Sequence, residues 1–365
     1  MTATLTQPHR HSGNLEVVAE FHGAMPTGVT VSHDGRIFVC FPRWGGPVDF
    51  TVAEVVNGQP VAYPDEPFNQ PNPADPSVSL VSVQSVVVDP SNRLWLLDTG
   101  SFKHGPTWRG GPKLVGIDLA TNRVVKKIVF PEDVALRSTY LNDIRFDLRR
   151  SDGGMGFITD ASPSGPNGII MVELDSGRSW RRLHDHPSTK PVWDFIPFVE
   201  GQPHMNRPPG QPPTPITSGC DGIAISADGR RLFYCPLASR RLYSVAVDSL
   251  VDSTISDAQA AQTVTDHGEK GASDGLEADD ADRIYITNYE VNAIFRRRTD
   301  GQYETVAQDP RMLWPDTLSV ATDGHLYFTA NQLHRQPQFH EDQDLRQKPY
   351  HLFRTSIDAG PVLLR

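Results

Sequence analysis

Residues 220–236 read CDGIAISADGRRLFYCP: a carboxylate, a run of small and aliphatic residues, a turn at Asp228-Gly229, then a run rich in aromatics. Apolar alternation with period two on either side of turn residues predicts two antiparallel strands. The pattern returns five times, as PTGVTVSHDGRIFVCF from Pro26, VQSVVVDPSNRLWLLD from Val83, LNDIRFDLRRSDGGMGFITD from Leu141, SDGLEADDADRIYITN from Ser273 and PDTLSVATDGHLYFTA from Pro315. Turn-bounded β units repeating at roughly 40 to 80 residues mark a propeller. Six units predict an all-β fold of six blades, each a four-stranded antiparallel sheet.

Superposing the units on their turns, with Arg36, Arg93, Arg283 and His325 as anchors, aligns the residues that open the first strands: Thr27, Gln84, Asn142, Asp221, Asp274 and Asp316. The first strand of each blade lines the central channel, so this column is expected to converge on one axis. Two more strands follow each inner pair, as in PKLVGIDLATNRVVKKIVF, GIIMVELDSGRSWRRLH and AIFRRRTDGQYETVAQD. The last blade ends with only HLFRTSID from residue 351, and LEVVAEF at Leu15–Phe21 is unclaimed, so their pairing is expected to close the ring and remove an exposed edge. Residues 1–14 are expected to form a flexible tail and 15–365 one domain. Within it, the Pro-rich stretch 182–219 is too long for a hairpin, and its Trp193, Phe195 and Phe198 favour an ordered excursion over the channel.

The chain has 365 residues, with 44 acidic against 34 basic side chains and a formal charge of −10, a balance that argues against a nucleic-acid partner. No apolar run approaches the ~18 residues of a membrane span. No secretory signal is visible at the start, which makes cytoplasmic residence the expectation. Three cysteines, Cys40, Cys220 and Cys235, are too few for a disulfide framework. Oligomeric state is left open.

The motifs DPSNRLWLLDTG from Asp89, LNDIRFD from Leu141, FITDASP from Phe157, DGIAIS from Asp221, SDGLEAD from Ser273 and WPDTLSV with TANQL between Trp314 and Leu333 together resemble the yellow and major royal jelly protein family. The resemblance covers the chain from about residue 15 onward and points to a microbial relative. It implies a six-bladed propeller whose channel accepts a ligand. Insect members of that family include amine-binding, nutritive and pigment-related proteins, so it does not by itself choose an activity.

Asn142, Asp221, Asp274 and Asp316 offer hard oxygens from four blades, a donor set suited to calcium, with no sulfur or histidine to favour zinc or copper. The same residue types also bridge blades by accepting backbone N–H bonds. The six-bladed gluconolactonases and paraoxonases hold calcium in a related ring, but the acidic ligand of their first blade is replaced here by Thr27. A second tier, Asp98, Asp160, Asn288 and Asn331, ends the paired strands. A carboxylate closing an apolar strand is costly unless paired or functional, which makes Asp98 and Asp160 candidates for proton transfer. Trp193 and Trp314 are candidate stacking walls, with Asn288 and Asn331 as further ligand contacts; His184, His186, His334 and His340 could border the channel mouth. No nucleophile elbow, phosphate loop or zinc signature is present. Two readings follow: a metal-assisted hydrolase of lactonase type or an isomerase, with calcium as Lewis acid, or a binding protein for amines or aromatic small molecules.

Overall fold

A computed structural model describes residues 11–365; most of the expected tail, residues 1–10, lies outside them. Six four-stranded antiparallel sheets form the ring. Their inner strands are Val29–Val31, Val83–Val88, Leu141–Asp147, Cys220–Ile225, Leu276–Ala278 and Pro315–Val320. The aliphatic and aromatic side chains of successive sheets pack between blades, as where Trp95 and Leu97 of the second meet Ile144 and Phe146 of the third.

The repeated turn has a physical cause. Gly35, Asn92, Gly229, Asp282 and Gly324 occupy equivalent positions after the first strand, all with left-handed φ between 59° and 86°, a conformation open to glycine and tolerated by Asn and Asp. In two blades a buried aspartate pins that turn. Asp89 accepts from the Ser91 and Arg93 backbone N–H groups and binds the Arg93 guanidinium at 2.8 Å. Asp279 does the same for Ala281 and Arg283. These repeating carboxylates serve structure.

The ring closes as the strand count requires. Leu15–Phe21 pairs antiparallel with Tyr350–Ser356, from Leu15 opposite Thr355 to Phe21 opposite Tyr350, completing the sixth blade. Ser12 continues the contact, exchanging backbone hydrogen bonds with Gln308 of the fifth blade. The fourth blade carries an unforeseen feature, two short helices at Val247–Val251 and Asp257–Ala261 between its outer strands. The 182–219 stretch is ordered, with a 3-10 turn at Pro187–Thr189 and a small hairpin pairing Phe198–Val199 with Gln202–Pro203. Among the described residues no helix is long and apolar enough to cross a membrane.

Deleting Leu15–Phe21 would strip one edge of the sixth blade and expose Tyr350–Ser356 as an unpaired strand. The truncated chain is expected to lose soluble expression or to melt more than about 10 °C lower, since well over the roughly 3 kcal/mol of a typical core lesion is removed; a melting curve unchanged from the full chain would show that closure does not depend on this strand.

Candidate functional site

The column residues are aimed at the axis by backbone irregularity. Strand register slips in four inner pairs, between Val83 and Ser85, Leu141 and Ile144, Cys220 and Ile223, and Pro315 and Leu318. Those slips hold Gln84, Asn142, Asp221 and Asp316. A β-bulge re-aims the side chain it carries, and here it turns polar residues of core strands into the channel. Glycine follows the carboxylate in two blades because the next blade's backbone passes too close for a side chain: a Cβ on Gly222 would lie 2.3 Å from the Asp274 carbonyl oxygen, and one on Gly275 2.2 Å from that of Asp316. Threonines stitch the same layer, with the Thr159 hydroxyl donating to the Asp221 carbonyl at 2.6 Å and that of Thr329 to the Thr27 carbonyl at 2.6 Å.

Gln84, Asn142, Asp221, Asp274 and Asp316 line one cavity of about 350 Å³. Thr27 is buried, its hydroxyl spent on the Gln84 carbonyl. The 182–219 stretch and the loop after Asn331 cap the cavity with His204, Asn206, Ile216, Leu333 and Phe339. Beneath it, in the same inner strands, Arg145 fills the axis: it bonds Asp143 at 2.8 Å and the Leu276 carbonyl at 2.7 Å, with Glu277 at 3.2 Å.

Three carboxyl groups in one pit meet few donors. Asn142 Nδ2 donates to Asp221 at 2.7 Å, Trp314 Nε1 to Asp274 at 2.7 Å and Asn331 Nδ2 to Asp316 at 2.6 Å. Burial, then the neighbouring Asp274 charge, pushes Asp221 and Asp316 well above the usual carboxylate range. Burial also raises Asp274, to about 6, less far because the Trp314 N–H and the protonated Asp221 both donate to it. Burial thus favours protons on the carboxyl groups of the pit, with the buried Lys270 acting on Asp221 and Asp274 from the protein side.

The donor set is right for calcium, but its geometry is committed elsewhere. The Asn142 amide presents its N–H to Asp221, Trp314 and Asn331 cover one oxygen each of Asp274 and Asp316, and among the described residues no three His, Cys, Asp or Glu side chains converge closely enough to hold a metal ion. Asn142, Asp221, Asp274 and Asp316 thus meet in one cavity, as expected, and no metal site is seen there among the described residues.

The second tier also needs correction. Asp98 accepts from the Val81, Ser82 and Gly100 N–H groups and from Lys113 Nζ at 2.7 Å, both side chains being fully buried. Asp160 accepts from Thr139, Tyr140, Ser162 and Arg181. Neither lines the cavity, and each is held by donors from the strands and loops around it. Trp193 is 89% exposed, on the outside of the cap. Asn288 accepts from the Glu290 N–H, and Asn331 acts through Asp316 and the Leu333 N–H. Of the expected ligand contacts only Trp314 is in the wall, stacked on Tyr289 at 4.0 Å. His184 is exposed on the far side of the Arg181 guanidinium, which donates to it, and His186 bonds Ser188.

The opposite wall was not anticipated. Trp44 stacks on His104 at 5.2 Å and donates to the Tyr140 hydroxyl, which donates to Gln84 at 2.9 Å. Burial lowers His104 to about 4 and His204 to about 3, so both rings are neutral at pH 7. These residues sit in loops outside the repeat; their aromatic character was the only signal in the sequence.

If Asp98 is a clamp, Asp98→Asn breaks a buried charge pair and should cost about 3–5 kcal/mol in chemical unfolding, while leaving any ligand affinity of the central cavity unchanged. Loss of affinity at unchanged stability would return Asp98 to the site.

The model of the major royal jelly protein family matches residues 81–361. The yellow protein of Drosophila guanche is 31% identical over 248 residues, 63% of this chain and 40% of that protein. Major royal jelly protein 1 of Apis mellifera is 27% identical over 243 residues, 62% and 51% of the two chains. The chain thus spans about half or less of the length of these relatives. Among solved structures, a gluconolactonase from Xanthomonas campestris superposes with a TM-score of 0.57 at 12% identity, covering 94% of this chain and 89% of that one. Regucalcin, a calcium-binding protein from Agrobacterium tumefaciens, gives 0.57 at 14%, covering 97% and 98%. At such identities the likeness is one of fold alone. The family match over most of the ring, with the ring's own geometry, makes this chain a member of the major royal jelly protein family.

Proposed function

We propose that the central cavity binds a small organic cation, an amine joined to a flat ring. The observation that supports this reading is the pit itself: three carboxyl groups share a floor under walls of Trp44, His104, Tyr140, Trp314 and Phe339. Burial favours protonated carboxyls on that floor, and Lys270 is the cation that bears on Asp221 and Asp274. An ammonium would take the place of those protons, accept the carboxylates as partners, and lay its ring against an aromatic wall, where cation–π and stacking contacts add about 0.5–2 kcal/mol. Asp98 and Asp160, the proton carriers of the hydrolase and isomerase readings, lie outside the cavity lining, and the carboxyl groups of the calcium reading each already share a hydrogen bond with a neighbouring side chain.

The pH dependence follows from the sign of the shifts. Asp274 has a folded pKa of about 6 against an ordinary 3.8. Its protonated form is favoured by folding, so the associated stability is complete at low pH and is lost as pH rises between those values. The pit then gains charge, and amine affinity rises over the same interval. Groups that bear on it are Asp143, Asp221, Asp316 and Lys270.

Benzylamine titrated by calorimetry should bind about tenfold tighter at about pH 7.5 than at about pH 5, the change expected when one charge interaction of ~1.4 kcal/mol is gained. Asp274→Asn should abolish this dependence, weaken binding and raise unfolding stability at neutral pH by about 1–3 kcal/mol, because it removes the cost of a buried charge. Affinity indifferent to both pH and Asp274→Asn would overturn the reading. So would a calcium-dependent rise in melting temperature that a chelator reverses and Asp221→Ala removes.

A further inference from the structure

We propose that the ligand site continues past the central cavity into a second chamber, where His334 accepts a hydrogen bond from a neutral N–H-bearing tail of the ligand. The proposal rests on the amine reading of the carboxylate pit and adds the far end of the same molecule.

The second chamber, about 610 Å³, lies under the cap and is lined by Glu200, Met205, Arg207, His334, Arg335 and His340, among others. His204 and Phe339 line both spaces, so the two chambers meet at that pair of rings, 4.2 Å apart. His204 Nε2 is buried without a hydrogen-bond partner among the described residues, and turning the ring aside breaks no bond at that atom.

His334 is only 5% exposed and its Nε2 meets Glu200 Oε2 at 2.7 Å. The bonds from His334 and Arg335 hold Glu200 down, at about 2, so it is ionised and can only accept. Nε2 therefore carries the hydrogen. Burial keeps the imidazole neutral, which leaves Nδ1 as a bare lone pair, and that atom too is buried with no partner among the described residues. Buried acceptors are nearly always satisfied in folded proteins, so the unmet Nδ1 of His334, a residue of the chamber lining, marks a place for a ligand's donor.

The chamber's shape is fixed by ties between its two halves. Glu200 bonds Arg335 at 2.6 Å, the Arg207 N–H donates to the Gln338 carbonyl at 2.9 Å, and the Glu341 N–H donates to the Arg207 carbonyl at 3.1 Å. Two guanidiniums in the lining, Arg207 and Arg335, disfavour a second ammonium. The tail that fits is an uncharged donor such as a primary amide, which separates this ligand class from diamines.

The test is calorimetry on two homologous series, simple n-alkylamines and ω-amino primary amides of matched length, against the wild-type chain, His334→Phe and His334→Gln. In the wild type the amide should gain about tenfold over its alkylamine at one chain length, the worth of a buried hydrogen bond. The gain should vanish in His334→Phe and survive in part in His334→Gln, which keeps an acceptor. Alkylamine affinities should be the same in all three, which also reports that the cap is intact; if His334→Phe alone disturbs them, the comparison with His334→Gln carries the test. Alkylamines that bind with no amide gain at any length, or a gain that survives His334→Phe, would overturn the second chamber and leave the pit standing. Failure of every amine would remove the pit reading and this one with it.

Discussion

Three carboxyl groups sharing one buried pit is the constraint around which the rest of the ring is arranged. Bringing Asp221, Asp274 and Asp316 together requires bulges or strand starts that turn them inward, glycines that let the next blade's carbonyl pass, and threonines that carry the displaced backbone bonds. The glycines and these inward-turning bulges belong to the inner strands and the threonines to the second strands. Register also slips between outer strands, as between Gly116 and Ile117 and between Ile294 and Phe295, but there no carboxyl is turned into the channel.

Charge is handled in two contrasting ways. Away from the pit, buried carboxylates have cations: Asp98 has Lys113, Asp160 has Arg181, and Asp143 has Arg145 on the axis itself. Such pairs add little net stability over an apolar replacement, but losing one partner is expensive, so they fix loops and blades in one arrangement. In the pit, by contrast, the direct side-chain donors are two amides, an indole and the Thr317 hydroxyl, all uncharged. Strain of this kind concentrates at functional sites, and a ligand that supplies the missing positive charge relieves it. The amine reading follows from that contrast rather than from the fold, which is shared with proteins whose names describe quite different chemistry.

The sequence carried the fold because the repeat is physical: a left-handed turn residue before an anchor, alternating strands on either side, and one strand too few at the end. It also carried the channel column, because Gln84, Asn142, Asp221, Asp274 and Asp316 occupy equivalent points of equivalent units. It misled wherever a residue's partner came from outside the repeat. Asp98 and Asp160 looked functional because a strand ending on a carboxylate is costly, yet Lys113, on the adjacent strand, and Arg181, on the fourth strand of the same blade, supply their charge. Trp193 looked like a wall because it is aromatic in a long loop, yet it faces outward. Trp44, His104, Tyr140 and His204 reach the cavity from loops with no repeat to align them, so no spacing could have marked them. The calcium expectation counted oxygens correctly, but the orientation of the Asn142 amide and the Trp314 and Asn331 donors lies beyond any pattern of residue types.

The central claim is that the pit stores protons in place of a cation, and site-resolved titration of its carboxyl carbons by NMR tests it most directly. With the aspartates isotopically labelled and assigned through Asp→Asn variants, the Asp274 resonance should titrate near pH 6, with Asp221 and Asp316 also displaced upward from the ordinary carboxylate range. Adding a saturating amine should move the Asp274 titration downward from about pH 6. If the three carboxyls titrate in the ordinary range near 4 and do not respond to the amine, the pit is not a proton-filled cation site and the account is wrong.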